Sequence, residues 1–319
     1  MFEWLAQRSG ENILTEEEQL VFWSHFAGYT TSVREKKLSI PDARKLVKLV
    51  SNVLKAKTTA VMRIEGFVFD GLLGYTGGGK ALLYHVIEVS TGLVKCGKVY
   101  RIDKDTESVS REIEASTVVH GSNSYNPYIV RYEIALDFSH QSAPSNRSIA
   151  LIMTLYQLTL AAIIEAFFAT PLPMHMFNKV AICVLSAGSR FCELNMAHCD
   201  IKPENVMMLD GEYTVIDLGA VCKYGEPVVE CTLGYYLDAP IHIATPIFDL
   251  NCAAVTLARC CIPNFTVTPG MSRASLLYTT EQLMATTTDH TLGHAYSVLK
   301  TCLTSLDCNE ALVQLQSIL

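Results

Sequence analysis

The spacing of apolar residues divides the chain into helical, extended and again helical stretches. Residues 1–59 read as a helical preface. Thr15-Glu16-Glu17-Glu18 is a capping-box pattern ahead of Leu20, Val21, Phe22 and Phe26. Ser39-Ile40-Pro41-Asp42 marks a second helix start. Ala43, Leu46, Val47, Val50, Val53 and Leu54 then recur at helical spacing, opposite Arg44, Lys45, Lys48 and Lys55. From about 60 to 103, apolar and polar residues alternate around glycine clusters, which predicts a meander of strands. A helical pattern resumes near Ser108. Residues 139–148 are polar and read as a hairpin loop. Ser148 to Ile164 carries no charge, but it is short for a membrane span and contains Thr154, Tyr156, Gln157 and Thr159. It predicts a buried strand followed by a buried helix. After Pro171 the pattern is mostly helical, with short strands expected at Val206–Leu209 and Tyr213–Ile216. Strands first and helices later is an α+β signature. No internal repeat is present.

Composition narrows the class. The 319 residues are 50% hydrophobic, enough for a large core in one or two domains. The formal net charge of −7 argues against a nucleic-acid binder that works by neutralising phosphates, and leaves a locally basic groove open. Cysteine occurs 11 times, an odd count, without repeated C-x-x-C pairs, and the adjacent Cys260 and Cys261 are poorly placed to bridge each other. This usage fits a reducing compartment and gives no zinc-site spacing. Met1–Gly10 holds Glu3 and Arg8 and no basic stretch leading into an apolar one. A soluble intracellular protein, free of membrane and nucleic-acid partners, is the expectation.

The chemistry concentrates in His198-Cys199-Asp200-Ile201-Lys202-Pro203-Glu204-Asn205, followed by Ile216-Asp217-Leu218-Gly219. Moving a γ-phosphoryl group needs charge neutralisation and in-line positioning more than covalent chemistry. Asp200 is a candidate to orient a hydroxyl nucleophile and take its proton, and Lys202 to stabilise charge on the group in transfer. Asn205 and Asp217 are oxygen donors suited to magnesium beside phosphate. Any one of these Asp residues alone would be read as a turn or cap residue. Their common register with Lys202 and Gly219 is what carries the reading.

These two motifs resemble the catalytic loop and the metal-binding Asp-Phe-Gly motif of eukaryotic-type protein kinases, with Cys199 in place of Arg. The K-P-E-N run is typical of the Ser/Thr rather than the Tyr branch. The resemblance implies a two-lobed α+β fold with a small lobe over 60–155 and a larger helical lobe over 156–319. It covers roughly residues 66–319. Thr91-Gly92-Leu93-Val94-Lys95-Cys96-Gly97-Lys98 resembles the third strand of the small lobe, so Lys98 is implied to contact the α and β phosphates of ATP. Its implied ion-pair partner is Glu112, with Glu114 as the fallback. Asn126-Pro127-Tyr128-Ile129-Val130 resembles the link into the fourth strand. Leu151-Ile152-Met153-Thr154-Leu155-Tyr156 resembles the fifth strand and hinge, with Met153 implied as gatekeeper and Thr154 to Tyr156, Leu155 among them, implied to offer backbone hydrogen bonds to adenine. Leu83, Cys96 and Met207 are implied to line its apolar faces. Cys231-Thr232-Leu233-Gly234-Tyr235-Tyr236 resembles the G-T-x-x-Y segment, so Thr232 is implied to contact Asp200 and Lys202. Asp249 matches the buried Asp of the central large-lobe helix, where it accepts bonds from the catalytic-loop backbone.

The departures are local. Gly71 to Ala81 supplies Gly74, Gly77, Gly78 and Gly79 for phosphate contact but does not spell G-x-G-x-x-G, and its spacing suggests an inserted residue. Without an Arg at 199, phosphate in the following segment loses its usual partner. Leu237-Asp238-Ala239-Pro240 replaces A-P-E, and the Arg that pairs with that Glu is missing from Cys302–Asn309. Glu204, Glu226 and Glu230 are candidates for favouring basic residues near the target site. The function implied is a MgATP-dependent Ser/Thr protein kinase acting on a protein hydroxyl. A pseudokinase scaffold and a kinase-like small-molecule phosphotransferase are the alternatives. Residues 1–59 either brace the small lobe or dock a regulatory partner.

Overall fold

The structure, a computed structural model, describes residues 62–75, 81–121, 125–140, 143–167, 170–238 and 243–318. The helices expected within 1–59 and Gly77, Gly78 and Gly79 lie outside the described residues. The chain is mixed α+β and compatible with a two-lobed kinase-like fold. It divides into two compact units. One comprises the described residues up to Thr106 together with Tyr132–Leu155, and the other comprises Glu107–Arg131 and the described residues from Tyr156 onward.

The first unit is an antiparallel six-stranded sheet. Its strands are β1 (Met62–Ile64), β2 (Phe67–Tyr75), β3 (Ala81–Glu88), β4 (Val94–Arg101), β5 (Ile134–His140) and β6 (Ala143–Thr154), in the order β1-β2-β3-β4-β6-β5. Alternation along the strands sends Phe67, Phe69, Val86, Val99, Leu136, Ala150 and Ile152 to one buried face. At the middle of that face Gly97 admits no side chain, because a Cβ would stand 2.5 Å from Val86 Cγ2. Between Phe69 and Gly71 and again between Leu72 and Gly74, β2 slips by one residue against β3. Two bulges thus take up extra chain just before the glycine-rich stretch. Strands β5 and β6 extend to His140 and from Ala143, so the polar hairpin expected over 139–148 is mostly strand.

The second unit is built on helices. Helix α1 (Ile102–His120) starts before the unit boundary and belongs with the second unit from Glu107 onward. It begins earlier than the pattern near Ser108 suggests. The others are α2 (Leu160–Ala166), α3 (Met174–Glu193), α4 (Pro246–Cys261), α5 (Arg273–Thr286), α6 (His290–Thr304) and α7 (Cys308–Ile318). Strand β7 (Leu158–Thr159) pairs with β9 (Val206–Leu209), which pairs with β10 (Glu212–Val215). Strand β8 (Met196–Ala197) pairs with β11 (Cys222–Lys223). Helices α3 and α4 are buried along much of their length. They approach α7 closely enough that a Cβ on Gly188 would meet Cys308 Sγ at 2.5 Å. Among the described residues no helix is long and apolar enough to cross a membrane.

All the cysteines are free thiols, and only Cys192 and Cys231 are not fully buried. The two differ in chemistry. Hydrogen bonding from Cys308 and from the Tyr224 hydroxyl, whose Oη lies 3.1 Å from Cys192 Sγ, outweighs burial and draws the Cys192 thiol below its ordinary pKa. Burial and the nearby Asp200 and Glu230 charges raise Cys231. A lowered thiol pKa means more thiolate at neutral pH, and thiolate is the reactive form. Iodoacetamide at neutral pH is therefore expected to label Cys192 first in the folded protein, and Tyr224→Phe to slow that labelling. Peptide mapping that found Cys231 alkylated first would contradict this.

Candidate active site

The site of the second unit starts from a turn that the chain makes around a buried carboxylate. After β8 the backbone amides of His198 and Cys199 donate to Asp249 Oδ2 and Oδ1, at 2.7 and 2.9 Å. Cys199 adopts a left-handed conformation (φ 66°) to bring both amides onto one acceptor. Asp249 sits in the first turn of α4 and is 2% exposed. Burial pushes its carboxyl above the usual range, against the opposing pull of His198 and the two amides. A second tie comes from Thr256 Oγ1, which donates to the carbonyl of Ile201 at 3.4 Å. The Cys199 thiol is fully buried and hydrogen-bonds Cys222, which raises the Cys199 pKa and lowers that of Cys222 to about 6.

The next residues form a closed hydrogen-bonded cluster. Lys202 Nζ lies 2.6 Å from Asp200 Oδ2 and 2.6 Å from Thr232 Oγ1. Thr232 Oγ1 donates to Asp200 Oδ1 at 2.6 Å. Asn205 Nδ2 donates to Asp200 Oδ2 and to the Asp200 carbonyl, both at 2.9 Å. The short 3₁₀ turn Pro203–Asn205, closed by the Asn205 amide on the Lys202 carbonyl, sets that geometry. Both carboxylate oxygens of Asp200 are thereby held, and the residue is 8% exposed. Below the cluster His198 Nε2 donates to the Ile216 carbonyl at 3.1 Å, so its Nδ1 accepts from the Asp200 amide at 3.3 Å.

The cluster leads directly to Asp217. The Ile216 amide donates to the Asn205 carbonyl at 2.8 Å, which places the end of β10 beside the Pro203–Asn205 turn. Asp217 follows in a left-handed conformation (φ 68°), which Asp tolerates better than most residues. Helix α1 packs on this turn. Arg111 Nε donates to the Gly219 carbonyl at 3.1 Å, and a Cβ on Gly219 would lie 3.2 Å from both Glu112 Oε1 and Ser108 Oγ. The two candidate acids of α1 are distinct. Glu112 is fully buried, whereas Glu114 is exposed and pairs with Lys223 at 3.6 Å. Among the described residues no group of three or more His, Cys, Asp or Glu side chains is placed to hold a metal ion. Asn205 and Asp217 nonetheless fit magnesium, which takes one or two protein oxygens beside substrate phosphate and needs no closed protein cage.

In the first unit, sheet register sorts the remaining candidates. Leu83 pairs with Lys98, and Cys96 pairs with Met153. Because paired residues and residues two apart point the same way, Leu83, Cys96, Lys98 and Met153 share one face, opposite the packed core. Lys98 is 4% exposed and its Nζ lies 5.3 Å from the centre of the Tyr100 ring. Burial pushes the Cys96 thiol up to about 11, against the Lys98 charge. Gly74 pairs with Leu83 beyond the second bulge of β2, and Leu155 follows β6. Met207 belongs to the second unit, half-buried on β9.

Two arginines are functional neighbours that pattern reading does not reveal. Arg259 Nη1 lies 3.0 Å from Glu204 Oε1 and 2.6 Å from Tyr235 Oη. Glu226 accepts from the Lys223 amide at 3.0 Å. Of the acids expected to favour basic residues, Glu204 thus has a cation in contact and Glu226 an amide donor. Arg273 reaches the stretch around Cys302 from another place in the sequence. Its guanidinium donates to the carbonyls of Cys302, Leu303 and Ser305 and to Asn251, while its amide donates to Asp238. The signal for Arg259 is the one that singles out Asp249: a charge in an otherwise apolar helix needs a partner.

No family model matches the chain. Over 143 residues it is 27% identical to homeodomain-interacting protein kinase 4 of Mus musculus and of Rattus norvegicus, and 26% identical to that of Homo sapiens. The matched stretch is 43% of this chain and 22% of each relative, so the chain covers less than a quarter of the length of the curated relatives it matches. The similarity ties the chain at a distance to the protein kinases.

The dependence of the site on Asp249 is measurable. Asp249→Asn offers one acceptor oxygen to two buried amides, so one N–H is left without its partner. A loss of about 1–3 kcal/mol in urea unfolding is expected. An unchanged midpoint would remove Asp249 as the support of the loop.

Proposed function

We propose that the chain is a Ser/Thr protein kinase that transfers the γ-phosphoryl group of MgATP to a hydroxyl of a protein substrate. The observation that carries the reading is the Asp200 carboxylate, held at both oxygens by Lys202, Asn205 and Thr232. A carboxylate fixed in this way orients an incoming hydroxyl and accepts its proton. Lys202, already bonded to Asp200 and Thr232, supplies positive charge at the group in transfer. Thr232 holds the Lys202 ammonium against Asp200. The Asn205 amide nitrogen is spent on Asp200, which leaves its carbonyl oxygen for a cation together with Asp217. Magnesium held there neutralises phosphate charge.

The nucleotide-binding part of the proposal rests on the shared face of the first unit. Lys98 contacts the α and β phosphates. Leu83, Cys96, Met153 and Leu155 face the adenine, and the backbones of Gly74, Gly77, Gly78 and Gly79 approach the phosphates. Residues 1–59 are a candidate docking element for a regulatory partner. A second reading, a kinase-like scaffold without transfer, draws on the doubly bulged β2 and the irregular glycine stretch.

The test is transfer from labelled ATP with magnesium to generic protein substrates and to the protein itself. Asp200→Asn is expected to lower the rate by at least about a hundredfold. Asp217→Ala should remove the magnesium-dependent turnover. Lys98→Met should be strongly impaired, and Glu112→Ala more so than Glu114→Ala. Full activity of Asp200→Asn would end the assignment of the base. Absence of transfer by the wild type, with no thermal shift on adding MgATP, would favour the scaffold.

A further inference from the structure

The second unit carries a charge arrangement beside the Asp200–Thr232 bond that phosphoryl transfer does not use. Glu204 lies in the turn Pro203–Asn205, and its side chain is 49% exposed. Arg259, in the last turn of α4, meets it at 3.0 Å. The same nitrogen of Arg259 bonds Tyr235 Oη at 2.6 Å. Tyr235 follows Thr232 on the opposing segment and its amide donates to the Thr232 carbonyl at 3.2 Å. One guanidinium therefore joins the two stretches of chain that hold the base and its threonine. Burial opposes the Arg259 charge, but Tyr235 and Glu204 outweigh it and keep the group fully protonated.

This arrangement changes what the surface offers a substrate. A carboxylate with a guanidinium in contact presents almost no net charge, and its field falls off steeply with distance. A basic side chain approaching Glu204 would have to displace an ion partner that is anchored a second time by Tyr235. Glu226 accepts from the Lys223 amide, which leaves its charge in place, so Glu204 is the acid here with a guanidinium in contact. The exposed side chains of the segment leading to Thr232 include the carboxylates of Glu226 and Glu230 as well as the apolar Val229, and the exposed Leu233 follows it.

We infer that Arg259 is a specificity-determining residue, which cancels Glu204 so that this carboxylate does not select a basic residue in the segment presented to Asp200. The inference rests on the protein-kinase reading above. It places a defined chemical class at the site: a serine or threonine with no basic residue required beside Glu204. It also predicts that the selectivity is latent, since removal of one cation exposes a carboxylate beside the transfer cluster.

The experiment compares peptides identical except for Arg, Ala or Asp at the residues just before a single serine. Phosphate transfer and, separately, binding by fluorescence anisotropy are measured for each protein. Preference is taken as a ratio within one protein, so that changes in overall rate cancel. The wild type is expected to give an Arg-to-Ala ratio near one. Arg259→Leu should raise that ratio about threefold to fivefold, the range of an exposed ion pair. Glu204→Gln, which leaves the guanidinium uncompensated, should instead raise the Asp-to-Ala ratio. The double variant should return both ratios to about one.

A wild type that already prefers the Arg peptide as strongly as Arg259→Leu overturns the inference. So does transfer by Arg259→Leu with an unchanged ratio, and so does failure of all three peptides to bind. Binding ratios that shift as expected while no protein transfers phosphate would support the charge cancellation and overturn the kinase reading.

Discussion

The carboxylate of Asp249 decides where the chain's chemistry can lie. Taking an ionised carboxyl out of water costs several kcal/mol, and charge-assisted bonds to backbone amides are among the few contacts strong enough to offset it. Asp249 finds two, from His198 and Cys199, and in doing so forces Cys199 into a left-handed turn. The chain leaves that turn with Asp200 pointing at Lys202, Asn205 and Thr232. His198 then fastens the same turn to the strand end before Asp217. Base, ammonium and metal-ligand candidates from separate segments thus depend on a side chain that never touches the reacting atoms.

Much of this was legible in the sequence because it is local. The spacing of Asp200, Lys202 and Asn205 fits one short turn, and the strand Val206–Leu209 falls where the alternation puts it. The uncharged stretch from Ser148 to Ile164 resolves into β6 and α2 for the same reason. What was not legible depends on contacts between distant segments. Glu112 and Glu114 have equal chemistry, and only the packing of α1 on Gly219 buries the first and exposes the second. The expected loop at 139–148 is polar in sequence, yet the ladder with β5 carries it as strand. Arg259 finds Glu204 and Tyr235 across the fold, and no periodicity points from one to the others.

Cys199 shows how a departure from a familiar pattern is absorbed. The position is fully buried, so a guanidinium there would need counter-charges reaching into the interior. A thiol needs none. It fills the space against Cys222, joining the turn after β8 to the strand that follows Asp217, where β8 and β11 pair. The link is short, weakly polar and indifferent to a phosphate nearby.

Arg273 has a different reach. From the start of α5 it collects the last carbonyls of α6, the amide side chain of Asn251 on α4 and, through its own backbone, the Asp238 carboxylate. Those carbonyls are ones that a helix end leaves without internal partners. Fraying of α6 at its end would therefore strip a half-buried cation of its acceptors, and that cost would be felt at once in α4 and α5. Segments far apart in sequence consequently open together or not at all, which makes the helical unit behave as one cooperative block in its fluctuations.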